Sequence, residues 1–170
     1  ADIAMHNVQG GLRADLPAGP LTFGSVYQVS PFENRAVILD LSGAELRRVI
    51  AEQSYRGRRR VGFSGMRVSA SCNGDVMQVE MAINDRTISD DDSVRVIVND
   101  YMALGGDNVL VPIIPEGGFD IDTNLPMTRD VFVSWVSKTG GTIAPDDYRT
   151  SGRPKWTGRF PLPRSCVLPD

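Results

Sequence analysis

The sequence predicts an α+β domain, and three observations carry that expectation. The middle of the chain consists of apolar or alternating stretches separated by short polar turns, the pattern of strands joined as hairpins. Helical periodicity is confined to a few segments, and helices and strands do not alternate as a regular parallel α/β fold requires. With 170 residues and 41% hydrophobic content, the chain is the size of one domain and can build a core without metals. A single domain over 1–170 is expected, with a mostly antiparallel or mixed sheet and a few packed helices.

The elements follow in order. Ala1-Asp2-Ile3-Ala4-Met5-His6-Asn7 is an apolar strand that runs into a Gly10-Gly11 turn ended by Arg13. Such a turn lets main-chain N–H groups approach an anion, and arginine offers a forked donor for phosphate or carboxylate; an ordinary turn with a surface arginine has the same appearance. Pro17-Ala18-Gly19-Pro20 is a loop, after which Thr22 caps a short helix through Val26 and Tyr27 that ends before Pro31. Residues 36–41 read as a buried strand. Ser42-Gly43-Ala44-Glu45 is a capping box that opens a helix. Leu46, Val49 and Ile50 fall on one face of that helix and Arg47, Arg48 and Glu52 on the other, with fraying expected near Tyr55-Arg56-Gly57.

Residues 66–71, 76–83 and 94–98 then form one sheet of hairpins, with turns at Asn73-Gly74-Asp75 and Asp90-Asp91-Asp92. Leu104-Gly105-Gly106-Asp107-Asn108 is a second glycine turn, followed by another short strand within 109–114. From about Thr128 a last helix sets Val131, Phe132, Trp135 and Val136 on one side and stops at Gly140-Gly141. Prolines 145, 154, 161, 163 and 169 make the end of the chain, 153–170 above all, an extended tail packed on the surface. There is no internal repeat and no low-complexity linker.

Composition excludes several classes of function. The 18 basic and 21 acidic side chains are interspersed and sum to −3, so no positive field exists to hold a nucleic-acid polymer or an anionic membrane. No apolar run approaches the roughly 20 residues of a membrane-spanning helix, and the start lacks the regions of a signal peptide. The chain begins on Ala1 and enters a strand almost at once, as an excised or processed piece of a longer protein would. One histidine, His6, and two cysteines, Cys72 and Cys166, are too few for a structural zinc site. The two cysteines could pair across the long loop between them or remain free thiols.

Five stretches resemble one family in order and spacing: Asn7…Gly10-Gly11-Leu12-Arg13; Leu21-Thr22-Phe23 leading to Pro31-Phe32-Glu33-Asn34; Leu41-Ser42-Gly43-Ala44-Glu45-Leu46; Ser64-Gly65-Met66; and Asn99-Asp100-Tyr101-Met102-Ala103-Leu104-Gly105-Gly106-Asp107. The family is the C-terminal domain of 5'-nucleotidases, UDP-sugar hydrolases and 2',3'-cyclic-nucleotide phosphodiesterases. The resemblance covers 1 to about 152. It implies a nucleotide-binding domain that positions substrate for two divalent metal ions on an N-terminal metallophosphoesterase domain, which this chain lacks. No cofactor is expected within this chain, and the isolated chain should not hydrolyse phosphate esters, since a dinuclear site needs clusters of His, Asp and Asn ligands. The implied partners are a nucleotide or nucleoside and the N-terminal domain. The implied setting is periplasmic or extracytoplasmic, which permits a Cys72–Cys166 bridge.

The resemblance also implies roles for residues. Phe32 and Tyr101 stand where the family has two aromatic walls that stack a base; either could equally be a core aromatic. Asn34 matches the residue that hydrogen-bonds the base edge, and alone would be a turn asparagine. Asp107, six residues past Tyr101, matches a carboxylate that accepts from the ribose hydroxyls, and alone could stabilise its own glycine turn. Arg13 matches a phosphate-contacting arginine, and Asn7 and Gly11 belong to the same motif.

Two departures qualify the match. In the commonest family form the asparagine precedes the second glycine by three residues and the arginine by five, whereas Asn7 precedes Gly11 by four and Arg13 by six. Either the turn bulges and Asn7 still reaches the site, or Val8 or Gln9 takes its place. The other departure is Arg56-Gly57-Arg58-Arg59-Arg60, a denser basic loop than is usual there, which is either a solvated loop or an aid to binding a polyphosphate or sugar nucleotide. A different class of function remains open as well: a scaffold or interaction domain, or the domain of a relative acting on a non-nucleotide ester.

Overall fold

A computed structural model describes residues 1–54, 61–122, 124–138, 142–144, 156–157, 162 and 165–168. The elements are β1 (Ile3–Asn7), α1 (Phe23–Val29), β2 (Ala36–Ser42), α2 (Gly43–Ser54), β3 (Val61–Ser64), β4 (Arg67–Asn73), β5 (Val76–Ile83), β6 (Arg86–Thr87), β7 (Ser93–Asn99), α3 (Asp100–Ala103), α4 (Thr128–Lys138) and β8 (Trp156–Thr157). The fold is α+β, with mixed sheets and few helices, as the sequence predicts.

The strands divide between two sheets, in the orders β2-β7-β1-β3 and β6-β5-β4-β8. This corrects the expectation of a single sheet. Residues 66–71 and 76–83 do form a hairpin, the antiparallel pair β4–β5, but 94–98 lies in the other sheet as β7. There β7 pairs antiparallel with β2 and parallel with β1. One buried cluster lies between the elements and includes Ile3, Met5, Leu39, Val96 and Val98 from the first sheet and Val68, Ala70, Val79 and Met81 from the second.

Helix α2 packs against β2 and β5, strands of different sheets, and so joins the two. Its start is the expected capping box. Glu45 Oε2 accepts from the Ser42 N–H at 2.8 Å while Ser42 Oγ accepts from the Glu45 N–H at 3.2 Å. Leu46, Val49 and Ile50 are fully buried. Arg47 is not merely a solvated residue of the opposite face: its guanidinium donates to Asp90 Oδ1 at 2.8 Å, to the Val79 carbonyl and to the Ile88 carbonyl at 3.1 Å. Thr22 caps α1 by accepting from the Ser25 N–H at 3.1 Å.

Two further expectations are corrected, those for 109–114 and for the end of the chain. The stretch 109–114 is not a strand; it contains a 3-10 turn at Val111–Ile113, because Pro112 has no N–H to give a ladder and suits the first turn of a helix. In α4 the apolar side is largely uncovered, with Val136 buried but Val131 46% and Trp135 38% exposed. The end of the chain is more than a surface tail, since β8 adds to β4 in parallel and Leu162 and Cys166 are buried in the core cluster. Cys166 forms a disulfide with Cys72 of β4. The expected fraying near Tyr55-Arg56-Gly57, the Arg56–Arg60 loop, the Gly140-Gly141 stop and most of 145–161 lie outside the described residues.

Candidate functional site

The strand β1 alternates, placing Ile3, Met5 and Asn7 on its buried side. Asn7 is therefore buried by register, whereas Val8 and Gln9 are exposed. A bridge between Gln9 and Leu12 closes the following turn, in which Gly10 takes a φ of 89°. Gly11 sits so close to the Asn7 carbonyl that a Cβ there would overlap it. The turn is tied to α1 by the Arg13 N–H, which donates to the Val29 carbonyl at 2.8 Å.

A pocket of about 260 Å³ opens here, near the lower end of the volumes of small-molecule sites. It brings together every residue that the sequence nominates: Asn7, Gly11, Arg13, Phe32, Asn34, Tyr101 and Asp107. Asn7, and neither Val8 nor Gln9, lines it. These residues come from the end of β1, the loop between α1 and β2, the helix α3 and the second glycine turn.

The two aromatic walls are positioned by backbone bonds. The Asp100 carboxylate accepts from the Arg35 N–H at 3.0 Å and from the Tyr101 N–H at 2.8 Å, so one side chain joins the chain segments that carry Phe32 and Tyr101. The Asn34 carbonyl accepts from the Thr128 N–H at 2.8 Å, which fastens that wall to the start of α4. Arg129 is buried there, its guanidinium 5.3 Å from the Phe23 ring and 5.1 Å from the Tyr27 ring, and it donates to the Phe32 carbonyl at 3.3 Å. Cations favour such positions over aromatic faces. Arg13 is exposed, and its guanidinium lies 5.2 Å from the Phe32 ring at the rim of the pocket.

Polar groups converge opposite. Asp107 accepts from Asn7 Nδ2 at 2.7 Å and from the Tyr101 hydroxyl at 3.3 Å. Its backbone is left-handed, with φ of 55°, and the neighbouring Gly106 lies so near the Tyr101 ring that a Cβ would overlap it. Asn99 donates from Nδ2 to Asn7 Oδ1 at 2.9 Å. His6 also lines the pocket; its Nε2 is buried and, among the described residues, has no hydrogen-bond partner. Burial holds the His6 imidazole below its ordinary pKa, partly opposed by the Gly11 backbone.

Sequence reasoning missed Asn99, Asp100, Arg129 and His6 as parts of this site. Asn99 and Asp100 stood within a nominated motif without a role. An Asx residue just before a short helix is a capping signal that could have found Asn99. Among the described residues no group of three or more His, Cys, Asp or Glu side chains is placed to hold a metal ion. No described helix is long and apolar enough to cross a membrane.

The family described as 5'-nucleotidase, C-terminal domain, matches residues 1–113. The chain is 27% identical over 157 residues to a trifunctional nucleotide phosphoesterase of Bacillus subtilis, covering 85% of this chain and 10% of that protein. It is 32% identical over 110 residues to a 5'-nucleotidase of Vibrio vulnificus, covering 63% of this chain and 19% of that one. Among solved structures, a 5'-nucleotidase precursor from Thermus thermophilus matches with a TM-score of 0.67 and 27% identity, over 93% of this chain and 32% of the other. The chain thus spans a third or less of the length of each of these relatives.

Proposed function

Because the chain belongs to the 5'-nucleotidase C-terminal domain family, we propose that its pocket binds the base and ribose of a nucleotide and positions the phosphate for hydrolysis on a separate domain. The observation that carries this reading is the convergence of two aromatic rings, Phe32 and Tyr101, with Asn34, Asp107 and Arg13 around one pocket. Flat rings supply stacking area for a base, Asn34 has both donor and acceptor for its edge, and Asp107 is an acceptor for hydroxyl donors. Arg13 at the rim is suited to the phosphate, as a forked cationic donor. Gly11 keeps the turn beneath it compact, and Asn7 holds Asp107.

The mechanism proposed for this chain is positional. Stacking and diol recognition fix the nucleoside, and that binding energy is converted into orientation of the distant phosphate. Two divalent metal ions on an N-terminal metallophosphoesterase domain would supply the Lewis-acid chemistry, and the isolated chain would be inactive. An extracytoplasmic setting is supported by the Cys72–Cys166 disulfide, since such bonds persist in oxidising compartments.

Calorimetry with adenosine tests the reading. Phe32→Ala and Tyr101→Ala should each weaken binding by about 10- to 100-fold, the loss of one stacked base. Adenosine affinity indifferent to both changes would refute the clamp.

A further inference from the structure

Asn99, at the end of β7, is buried, and its amide is shared between two parts of the site. Its Oδ1 accepts from the Met102 N–H at 2.8 Å and so caps α3, the helix that carries Tyr101. Its Nδ2 donates to Asn7 Oδ1 at 2.9 Å, and Asn7 Nδ2 donates in turn to Asp107 Oδ2 at 2.7 Å. The two ends of this relay have fixed roles. A backbone N–H only donates, and an ionised carboxylate only accepts. Each amide between them therefore has a single orientation, in which Asn7 presents its donor and not its carbonyl to Asp107. Reversal of either amide would set oxygen against oxygen.

Asp107 is consequently held with both oxygens engaged, Oδ2 by Asn7 and Oδ1 by the Tyr101 hydroxyl at 3.3 Å. A carboxylate has roughly four acceptor sites, so about two remain for a ligand. Building on the reading of the pocket as a nucleoside site, we propose that Asn99 is the positioning residue that sets the polarity of this relay and thereby selects ligands carrying an intact vicinal diol. The same side chain fixes the start of α3, so the aromatic wall and the diol-reading carboxylate are placed by one amide.

The test is the ratio of affinities for adenosine and 2',3'-dideoxyadenosine, measured by calorimetry on the whole chain. Asn99→Ser keeps an oxygen to cap α3 but removes the amide donor that orients Asn7, and the shorter hydroxyl, engaged at the cap, does not reach Asn7 Oδ1. Adenosine binding should fall at least about fivefold, the value of one hydrogen bond, while dideoxyadenosine binding stays unchanged. Equal losses for both ligands would make Asn99 a merely structural cap and overturn the proposal, as would no loss for either. A measurement on the unmutated protein decides the matter if Asn99→Ser does not fold. By NMR, the Asn7 side-chain amide protons should exchange with solvent far more slowly than those of an exposed asparagine, and fast exchange overturns the relay. Phe32→Ala separates this proposal from the reading beneath it: adenosine binding that ignores Phe32→Ala breaks the nucleoside reading, whereas Phe32-dependent binding with an unaltered ratio in Asn99→Ser breaks only the relay.

Discussion

The two sheets share one core but divide the work of the molecule. The first, β2-β7-β1-β3, carries polar groups at the ends of its strands, where Asn7, Asn99 and the segments that follow β1 and β7 surround the pocket. Among the described residues, none lining that pocket comes from the second sheet, β6-β5-β4-β8, which holds the disulfide and the returning end of the chain. Of the described buried polar side chains, Asn7, Asn99 and Arg129 lie at or beside the pocket, whereas Gln53 and Ser54 lie at the end of α2. The described second-sheet side is held by apolar packing, the disulfide and mostly exposed ion pairs, Arg67 with Asp85 and Arg86 with Asp92. Perturbations of the two regions should therefore separate, one in stability and the other in affinity.

The largest effect should come from the second sheet. Replacing Cys72 and Cys166 together by alanine opens a bridge between residues 94 apart, at a cost of about 2–4 kcal/mol by the usual range for such links. Thermal midpoints should drop by on the order of 5–15 °C for a domain of this size, while adenosine affinity measured well below the new midpoint stays within about twofold. Lost affinity in the folded double variant would show that the second sheet reaches the pocket after all.

The converse experiment is Gly106→Ala. Its Cβ would overlap the Tyr101 ring, which is 47% exposed and can be displaced toward solvent at the loss of its hydroxyl contact with Asp107. Displacing the ring relieves the overlap with little change in stability but removes one wall, so affinity for adenosine should fall by about 1–3 kcal/mol, close to the loss in Tyr101→Ala. A Gly106→Ala protein with a sharply lowered midpoint and wild-type affinity would reverse the assignment.

What the sequence made legible follows the range of the interactions involved. The Ser42–Glu45 capping box and the β4–β5 hairpin are local, three residues or one turn across, and both form as expected. The partition into two sheets depends on β7 finding β1 and β2, pairings between distant segments that local alternation does not encode. The stretch 109–114 misled because Val109, Leu110 and Ile113 are buried, and burial alone does not distinguish a strand from a tight helical turn. In α4 the helical period was legible but its apolar side was not an indicator of burial, and the helix docks through the buried Arg129 instead. The residues that face the pocket were nominated by motif order. Those acting behind them, Asn99 on Asn7 and Asp100 on Arg35, were not, because their partners lie 92 and 65 residues away.

The smallest expected effect separates the sheets by pH. His6 in β1 has a folded pKa below the ordinary 6.5 because burial disfavours the imidazolium. Between the two values the unfolded chain binds more protons than the folded one, so stability is full above about 6.5 and is lost as pH falls through the lowered folded value. Asp92, which follows β6, has a carboxylate held below its ordinary 3.8, first by the Ser89 N–H and then by Arg86. Its contribution is present above 3.8 and is lost only as pH falls through that lower folded value. Urea midpoints should thus show one decline that begins below about pH 6.5, from His6 in the first sheet, and a separate one below about pH 4 from Asp92, whose pairing with Arg86 ties β6 of the second sheet to the turn before β7. His6→Gln should flatten only the upper decline. An upper decline of wild-type slope in that variant would mean that the pocket end of β1 does not set the near-neutral pH dependence, and the separation by pH would fail.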